Sequence, residues 1–592
     1  MIKLSFLREI ALCTAASLLV AAGCASPLER SAEEAMREQL LASHRRYVSS
    51  VAAGPVIEVS RPPSEVEREL TPERTAELDH MAGPDSYRGQ TMRLGPDLQG
   101  NSETDMAGIS LRRAIELAVK NNLNVEVARL SPAITQAQVI AAEAAFDAVF
   151  YSTLTIERTD TPRPGTAAGG FASVFGGVQE REVDALTTGI RKPLTTGGQF
   201  AVQTTFARNY DEPTFFLMPE YYTANVEMII TQPLLRGFGT DVNRAEILLA
   251  QSGRHASVQE LRRALLQTAS DTEQAYWTLY FARQRLLIQG RLLGRTEEDY
   301  ERIKKRQDFD VSPVRKTEAS SFVELRRSEV IRARQDVRVA SDALKRLIHS
   351  SELPISGETL IIPSDEPADA TIRFNLLDAV TTALQRRPEL QSALLQIRDT
   401  AVRLRVADNA RLPLLNVSAT MRYNGLGGGV DSAYGRLTDG DFIDYILGAQ
   451  FEQPIGNRAA EAFYTQRSLE RRQAVTAYQL AAQDVVLEVK NAMRNLLTAY
   501  ELIGSSRAGR RAAADNLRAI ERQEEAGVAL TPEFLLDLKL NSQQRLADAE
   551  TQEVQALADY NTSIAAYYRA LGTLLERSGI EFQDPTSERK RQ

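Results

Sequence analysis

The chain carries two copies of one pattern, and this duplication constrains its fold more than any other feature. Residues 110–158 align with residues 375–423 position for position and without a gap. The matched apolar pairs are Leu111 with Leu376, Ala114 with Ala379, Ile115 with Val380, Ala118 with Ala383, Val119 with Leu384 and Val125 with Leu390. A repeat of this length indicates two structural modules of the same kind.

Each copy opens with an amphipathic helix, a break and a second helix, which we expect over 124–145 and 389–410. Both copies then change from the 3.6-residue period of a helix to the alternation of a strand. Strands are expected at about 149–158, 183–192, 197–208, 221–232, 414–424 and 442–453. This switch of period predicts a fold that joins helices and a sheet in each copy.

The predicted strands are apolar on one face and mostly polar on the other. In 415–423, for example, Leu415 and Val417 alternate with Asn416 and Ser418. Segments of about ten residues with this alternation are typical of a membrane barrel with lipid outside and water inside. A half-buried sheet of a soluble protein gives the same alternation, so the pattern leaves both structures open.

Long helices follow the strands, over 242–308, 314–350, 456–526 and 533–576. The third contains a coiled-coil seam, in which apolar residues recur at alternating spacings of four and three. The seam residues are Val485, Val489, Ala492, Leu496, Ala499 and Ile503. A helix of about 70 residues is on the order of 105 Å long. No globular core requires that length, whereas a conduit that crosses a compartment does.

The first residues indicate export. Two basic residues precede an apolar run, 10–22, which is too short for a transmembrane helix of about 20 residues. Small residues then lead to Cys24, and this sequence resembles a bacterial lipobox, in which the cysteine thiol is acylated. Because Ala25 and Ser26 follow, and not Asp, the sorting preference favours the outer membrane. A plain signal peptide with an incidental cysteine is the alternative.

Composition and charge exclude several functional classes. The chain has 592 residues and a formal net charge of −8, so it lacks the dense basic surface that nucleic acid requires, and no nucleic-acid partner is expected. Its four histidines and two cysteines form no metal-binding set. The sequence has no Gly-rich phosphate loop after a buried strand and no nucleophile–base constellation. We therefore expect no enzymatic activity, no metal and no cofactor.

The order of these elements resembles the TolC-like outer-membrane factor family, the outer membrane efflux proteins, in its lipoprotein type. The resemblance covers about residues 105–577. It rests on the doubled module, the paired hairpin turns, the closing Leu571-Gly572 and the exits Gln232-Pro233 and Gln453-Pro454. It implies an α+β fold: a trimer whose strands close one shared outer-membrane β-barrel, continued by a long α-helical coiled-coil tunnel in the periplasm.

This resemblance implies a passive exit duct in a tripartite efflux or type I secretion system. The expected partners are two further copies of the chain, a periplasmic adaptor (membrane fusion) protein, an inner-membrane efflux pump or ABC transporter, and outer-membrane lipid. The alternative is a periplasmic lipid-anchored coiled-coil adaptor or scaffold, because adaptors also have a lipid anchor and a long hairpin. This chain has two hairpins and paired amphipathic strands, which an adaptor does not need.

The expected organisation follows the two repeats. Its parts are a lipoprotein-type signal peptide (1–23), an N-terminal extension (24–105), repeat 1 (106–350), an equatorial linker (351–373), repeat 2 (374–577) and a C-terminal tail (578–592). The extension is polar and contains several prolines, so we expect it to be flexible or to wrap the tunnel as part of a belt.

The lipobox makes Cys24 the candidate lipidation site. The family resemblance assigns two further candidate sites: Val311, Ser312, Pro313, Gly527 and Val528 for adaptor contact at the hairpin tips, and Asp537 with Glu533 for the periplasmic aperture. Gly527-Val528 fits the family's turn, whereas Val311-Ser312-Pro313 departs from it. The alternatives are that the tip residues are only turn residues and that Asp537 is a solvated helix carboxylate. Only one of the family's two constricting aspartates is matched, because Phe534 occupies the other position. Three symmetric carboxylates near one axis repel one another and bind cations.

A length difference between the copies bears on the strand count. The numbering offset between matched positions is 265 at the start of the repeats and 221 at the Gln-Pro exits, so the first copy is longer by 44. The excess includes a readable hairpin, 183–208, with turn residues at 195–198. Because strands enter a barrel in pairs, we expect four from the first copy and two from the second. A trimer would then close at 18 strands rather than the usual 12. The alternative is a hairpin that folds outside the barrel as a cap.

Overall fold

The computed structural model describes residues 56–87, 92–100, 105–162, 178–211, 219–306, 313–371, 373–526 and 532–583. Its strands are β1 (Ile57–Glu58), β2 (Met106–Ile109), β3 (Val149–Pro162), β4 (Val178–Pro193), β5 (Gln199–Asp211), β6 (Glu220–Pro233), β7 (Leu360–Pro363), β8 (Arg373–Phe374), β9 (Leu414–Gly427) and β10 (Ile443–Glu452).

The helices are numbered in the same way. They are α1 (Glu65–Glu69), α2 (Pro72–Ala82), α3 (Leu111–Asn121), α4 (Leu123–Glu143), α5 (Thr240–Asn243), α6 (Ala245–Arg306), α7 (Pro313–Ile348), α8 (Leu376–Arg386), α9 (Pro388–Asn409), α10 (Val430–Asp439), α11 (Arg458–Glu525), α12 (Pro532–Leu571) and α13 (Leu574–Arg577). The described chain forms two compact units. The sheet unit comprises 134–255 and 394–477, and the helical unit comprises the remaining described residues.

One antiparallel sheet of six strands dominates the sheet unit, in the order β10-β9-β6-β5-β4-β3. The two copies meet where β6 pairs with β9, with Met228 opposite Met421. The hairpin in the longer first copy is β4–β5, and it lies between β3 and β6 within the sheet. The first copy therefore contributes four strands and the second copy two, and the hairpin does not fold away as a separate cap.

A glycine-rich stretch that predicts a surface loop contains a helix instead. β9 extends to Gly427, and α10 follows within the predicted loop 424–441. Ser432 caps this helix, since its Oγ accepts a hydrogen bond from the Gly429 N–H (3.1 Å) and donates to the Gly429 carbonyl (2.9 Å). The glycines within 424–441 predict a surface loop between the two strands, and this prediction is wrong because Gly425 and Gly427 lie in β9, where they allow close packing.

The first long helix begins slightly later than its sequence pattern predicts. α5 ends at Asn243, and Arg244, with φ −92° and ψ 6°, interrupts the helix before α6. The Asn243 Nδ2 donates to the carbonyls of Gly237 (2.8 Å) and Gly239 (2.9 Å). These two bonds hold the chain against the turn that follows β6, so the helix restarts at Ala245.

The Gln-Pro exit of the first copy is bonded to the β4–β5 turn. Thr196 Oγ1 donates to Gln232 Oε1 (2.9 Å), and Gln232 Nε2 donates to the Thr196 carbonyl (3.2 Å). Gly197 in this turn has φ +92°, and a Cβ there would lie 2.1 Å from the Gly237 carbonyl oxygen, so only glycine fits. The hairpin turn and the exit therefore fix each other at one end of the sheet.

The helical unit buries equivalent faces of the two copies. The buried residues are Ala114, Ile115, Ala118 and Val119 on α3, and Ala379, Val380, Ala383 and Leu384 on α8. Each helix also has a capping residue, Ser110 in the first copy and Asn375 in the second. The six residues of the predicted seam on α11 are all buried, with exposed fractions of 9% or less. The duplication therefore determines the core as well as the order of elements.

Residues 56–87 pack within the helical unit. β1 pairs with β8, and α2 places Leu78 and Ala82 against Leu517 of α11 and Leu546 of α12. Further along, β2 pairs in parallel with β7. This part of the N-terminal extension is packed and not flexible, because its few apolar residues are buried against the helices. No helix in the ranges given above is long and apolar enough to span a membrane.

Candidate functional site: the two faces of the sheet and the helix tips

One face of the six-stranded sheet carries mainly apolar side chains, interrupted in one row by the hydroxyls of Ser152, Thr188 and Thr204. Residues opposite each other in neighbouring strands share a face, and one such row contains only apolar and aromatic side chains. This row is Phe150, Ile190, Val202, Met228, Met421 and Tyr445. On this face, which we call the apolar face, Leu447 is 83% exposed and Tyr445 is 70% exposed. Side chains of this kind require an apolar environment to cover them.

The opposite, polar face carries a chain of hydrogen bonds that joins side chains of four strands. The Tyr151 hydroxyl donates to Gln203 Oε1, and Gln203 Nε2 donates to Glu227 Oε2 (2.7 Å). Arg422 completes the chain with a 2.7 Å bond from Nη2 to Glu227 Oε1. Gly189 lies between Tyr151 and Gln203 in the register, and a Cβ there would lie 2.8 Å from the Gln203 Cβ. Glycine therefore opens the space that lets these two side chains meet.

A second row of the polar face consists of hydroxyl and amide side chains. Its members are Thr153, Thr187, Thr205, Asn225 and Asn424. The hydroxyls of Thr187 and Thr205 are 3.0 Å apart and share a hydrogen bond. Side chains of this kind prefer contact with water or with one another to contact with hydrocarbon. The sheet thus has one face suited to lipid and one suited to water.

Charged residues mark the end of the apolar face that lies opposite the Gln232-Pro233 exit. Arg158 bridges Glu182 (3.1 Å) and Asp184 (2.9 Å), and Arg208 bridges Glu220 (2.6 Å). We call these five residues the charged rim. They follow directly after the apolar row that contains Leu154, Leu186 and Phe206. The rim therefore defines where the apolar band stops.

The structure describes only part of the predicted tip sites. Val311, Ser312, Gly527 and Val528 lie outside the described residues, as does Cys24, while Pro313 begins α7 and Glu533 lies in the first turn of α12. Asp537 is exposed on α12, and its Oδ1 accepts a hydrogen bond from Asn541 Nδ2 (3.0 Å). The aperture function of Asp537 and Glu533 stays a prediction.

A buried ionic network lies around Lys539, two residues beyond Asp537, and the sequence pattern does not predict it. Lys539 Nζ lies 3.2 Å from Asp299 Oδ1 and 2.8 Å from Glu524 Oε2, which joins three helices. Gln543 Nε2 donates to Asp299 Oδ2 (2.9 Å). Asp299, Lys539 and Gln543 are all buried. Because an unpaired buried charge is costly, this network fastens α6, α11 and α12 together near the tips.

A second network attaches the N-terminal segment to α11. Asp79 accepts hydrogen bonds from Arg510 Nη2 (2.7 Å) and Arg511 Nη2 (2.7 Å). Arg510 is itself buried and also pairs with Glu553 of α12. Burial alone would raise the pKa of Asp79, but the hydrogen bonds from Arg511 and Arg510 outweigh it and hold the pKa below its usual range. The carboxylate is therefore the favoured state of Asp79 in the folded chain.

No group of three or more His, Cys, Asp or Glu residues in the described part of the chain could hold a metal ion. The described polar residues instead form ion pairs and hydrogen bonds with one another, as in the two networks and the charged rim. The described sheet therefore offers one apolar surface and one hydrogen-bonded polar surface.

Comparisons with solved structures place this fold among outer-membrane channels. The chain is 17% identical to the CmeC outer membrane channel of Campylobacter jejuni, with a TM-score of 0.58 over 85% of this chain and 94% of CmeC. CusC gives 14% identity and a TM-score of 0.55 over 82% and 96% of the two chains. The open state of the Neisseria gonorrhoeae MtrE channel gives 16% identity and a TM-score of 0.53 over 88% and 99%.

The class defined by these findings is the TolC-like outer-membrane channel fold, and the recognition of that fold from the repeats is confirmed. Residues 379–573, which cover most of the second repeat, match the family model described as outer membrane efflux protein. No curated protein has significant sequence similarity to the chain. The structural match to CmeC extends over more of the chain than this family match does.

Proposed function

We propose that this protein is the outer-membrane channel of a tripartite efflux or type I secretion system. In this function it is a passive duct, with no catalytic step of its own, for substrates that an inner-membrane transporter delivers. The observation that carries the proposal is the two-faced sheet: an exposed apolar face on one side and a hydrogen-bonded polar face on the other. The TolC-like fold and the efflux family match over residues 379–573 support it.

The sheet edges support assembly as a homotrimer. Within the described residues β3 and β10 each have a single neighbour, so each presents a free edge of backbone N–H and C=O groups. Joining β10 of one protomer to β3 of the next would satisfy both edges and close a barrel. With six strands per protomer, three protomers supply 18 strands. Such a lumen is wider than that of a 12-stranded barrel.

An exposed apolar stripe on α4 also requires a partner. Leu123, Val127, Leu130 and Ile134 recur at spacings of four, three and four residues, and their exposed fractions are between 54% and 70%. This is the spacing of a coiled-coil seam that stays open in a single protomer. In the proposed trimer a helix of the neighbouring protomer covers it. The periplasmic tunnel then consists of helices from all three protomers.

The proposed partners at the helix tips are the periplasmic adaptor and, through it, an inner-membrane efflux pump or ABC transporter. Val311, Ser312, Pro313, Gly527 and Val528 are the proposed contact residues. Asp537, with Glu533 close by, is proposed to narrow the aperture, and the exposed position of Asp537 on α12 supports this. The buried network around Lys539 would hold the neighbouring helices in the narrow arrangement.

Cys24 is the proposed lipidation site of the mature chain, which would anchor its N-terminus in the outer membrane. Cys24→Ala would abolish acylation, and mass spectrometry of the mature protein would show this. The barrel would still insert, because its apolar face supplies most of the affinity for lipid. A mature wild-type chain with a free N-terminus elsewhere would contradict the lipoprotein assignment.

Purified protein in planar bilayers tests the proposed function. We expect discrete conductance steps from a detergent-soluble, β-rich trimer that sediments with the outer membrane. The alternative, a lipid-anchored periplasmic adaptor or scaffold, would give membrane association through Cys24 alone and no conductance. Cys24→Ala therefore separates the two: the channel keeps its conductance, whereas the scaffold is released as a soluble protein.

A further inference from the structure

The helix α10 lies on the apolar face of the sheet. Gly425 and Gly427 have the same orientation in β9 as Met421, which belongs to the apolar row. A Cβ at Gly425 would lie 2.0 Å from the Ala433 carbonyl oxygen, and one at Gly427 would lie 2.1 Å from Ser432 Oγ. The helix therefore packs directly on the strand backbone, where these two positions have no side chain.

The height of α10 on the sheet coincides with the end of the apolar band. Gly425 is in the row of Leu154, Leu186, Phe206 and Ala224, the last apolar row. Gly427 is in the next row, which contains Asp184 and Arg208 of the charged rim. The helix thus lies across the boundary between apolar and charged side chains.

The helix α10 is amphipathic, as a helix at such a boundary must be. Val430, Ala433, Tyr434 and Leu437 follow the spacing of one helix face, whereas Asp431, Arg436 and Asp439 are exposed on the remainder. Ala433 is fully buried, but Val430 is 47% exposed and Tyr434 is 41% exposed. Part of the apolar stripe therefore packs on the sheet, and part extends beyond it.

Three aromatic rings connect the helix to the sheet. Phe206 stacks on Tyr222 with ring centroids 5.8 Å apart and on Tyr434 with centroids 6.0 Å apart. Tyr222 also donates its hydroxyl to Glu220 of the charged rim (3.1 Å). Aromatic residues with one apolar and one polar end are typical of the interface between hydrocarbon and headgroups.

We propose that α10 is an interfacial helix that binds the outer leaflet at the level between lipid headgroups and acyl chains. This inference rests on the proposed function, since the apolar face must first face lipid. Val430 and Tyr434 enter the edge of the hydrocarbon, and Asp431, Arg436 and Asp439 contact the headgroup layer. The helix thereby widens the lipid-facing surface of the second copy without adding a strand to the sheet.

Quenching of tryptophan fluorescence by brominated lipids tests this placement. The chain has one tryptophan, Trp277, which is buried in the helical unit. In a Trp277→Phe background, single reporters are introduced as Val430→Trp and Tyr434→Trp. The matched controls are Arg436→Trp on the polar side of α10, Leu447→Trp on the apolar face and Thr153→Trp on the polar face. Each trimer is reconstituted in vesicles with bromines close to the headgroup or deep in the chain.

We expect bromines close to the headgroup to quench Val430→Trp and Tyr434→Trp at least two-fold more than deep bromines do. Leu447→Trp shows the reverse order, Arg436→Trp is quenched weakly, and Thr153→Trp responds only to an aqueous quencher. If neither α10 reporter is quenched while Leu447→Trp is, the inference is wrong and the proposed function stands. If Leu447→Trp is not quenched, the proposed function itself fails.

Two further outcomes would overturn the inference. Equal quenching of the α10 reporters and Leu447→Trp by deep bromines would place the helix within the acyl chains. Protection of both α10 reporters from lipid and from an aqueous quencher would mean that a protein neighbour covers the helix. Having two reporters on α10 keeps the test valid if Tyr434→Trp disturbs the stack on Phe206.

Discussion

The two copies connect equivalent strands in different ways. The first copy has the β4–β5 hairpin with its loops between β3 and β6, and both hairpin strands pair with neighbours on each side. The second copy has only residues 428–442 between β9 and β10, and they contain α10. Both connections leave the exits of β6 and β10 at the same end of the sheet, yet only the first increases the number of strands.

This difference teaches that connection length decides which structure is possible. Two strands that cross a membrane need about nine to eleven residues each, in addition to a turn. The segment 428–442 is too short for that, whereas the longer connection of the first copy is sufficient. A short connection satisfies its backbone groups best as a helix, whose hydrogen bonds are internal.

The largest expected effect comes from removing the connection of the first copy. Deletion of residues 182–209 eliminates two strands per protomer and would reduce an 18-stranded trimer to a 12-stranded one. Because barrel diameter scales roughly with strand number, we expect single-channel conductance to fall by about half. Replacement of residues 431–439 by a short glycine linker is the matched control, and it should leave conductance unchanged because α10 lies on the apolar face. Equal conductance of the hairpin deletion and wild type would disprove the 18-stranded barrel.

The next effect concerns the bond that joins the copies across the polar face. Arg422→Ala would leave Glu227, which is 7% exposed, without its charged partner. We expect the free energy of unfolding to fall by about 2 kcal/mol, since hydrogen bonds to charged groups contribute that much. Thermal unfolding in detergent measures it.

The double variant Arg422→Ala with Glu227→Gln provides the control for this pair. It removes the buried charge together with its partner, and most of the lost stability should return. If the double variant is as unstable as the sum of the single variants, the two residues are not coupled and the chain of hydrogen bonds has no shared energy.

Docking of α10 can be tested with two glycines of the second copy. Gly425→Ala places a methyl group 2.0 Å from the Ala433 carbonyl oxygen, whereas Gly428 has no atom within 4 Å of its Cβ position. We expect Gly425→Ala to cost about 1–2 kcal/mol through overpacking, with faster hydrogen exchange in α10. Gly428→Ala should change neither quantity. Equal exchange in both variants would show that the helix does not depend on this contact.

The copies also differ close to the hairpin tips. Pro313 and Pro532 begin the returning helices, and when positions are counted from these prolines Asp537 corresponds to Glu318. We expect Asp537→Ala to raise conductance or reduce block by divalent cations, because in the proposed trimer it removes three carboxylates from one axis. Glu318→Ala, on a half-buried carboxylate of α7, should do neither. The same response from both variants would refute a specific aperture at Asp537.

The smallest expected effect is a loss at low pH of one of the two contacts that the N-terminal segment makes with the copies. It contacts α11 of the second copy through Asp79 and contacts α6 of the first through Arg291, whose Nη2 donates to the Ser86 carbonyl (2.9 Å). Because the folded pKa of Asp79 is lowered, its contribution is present above the unfolded value of about 3.9 and is lost as pH falls through the folded value. Main-chain carbonyls do not titrate.

Hydrogen exchange at pH 7, 4 and 3 measures this loss. We expect exchange in α2 to increase, after correction for intrinsic rates, only at the most acidic pH, and Asp79→Asn to show the increased exchange at neutral pH. If the difference in hydrogen-exchange rate between α2 and the β2–β7 pair does not change with pH, Asp79 does not hold the N-terminal segment.

Local periodicity predicted much of the fold, because alternation and the coiled-coil seam are properties of neighbouring residues. The hairpin strand 183–192 lies within β4, although its alternation is imperfect, and the excess length supported it. The sequence pattern does not predict α10, because glycines such as Gly425 and Gly427 are typical of loops. Their spacing of two places both on one strand face, and this signal could have indicated a close backbone approach.

The ionic network of Lys539, Asp299 and Glu524 could not be predicted from sequence. These residues are separated by hundreds of positions or by a hairpin turn. In the sequence, each is a charged residue of the kind that normally lies on an exposed helix face. Only packing of α6, α11 and α12 brings them together. The same holds for the hydrogen-bonded chain from Tyr151 to Arg422, which depends on the register of five strands.

The single-neighbour edges of β3 and β10 bear on the order of events during biogenesis. β3 is 14 residues long and β10 is ten, so a lone protomer in hydrocarbon would carry many backbone groups without hydrogen bonds, each costing several kcal/mol. In the proposed trimer, entry into the bilayer is therefore coupled to meeting two other chains. The insertion rate should rise steeply with the supply of newly exported chains, and a cell that makes little of this protein should hold unassembled chains outside the bilayer and not monomeric pores.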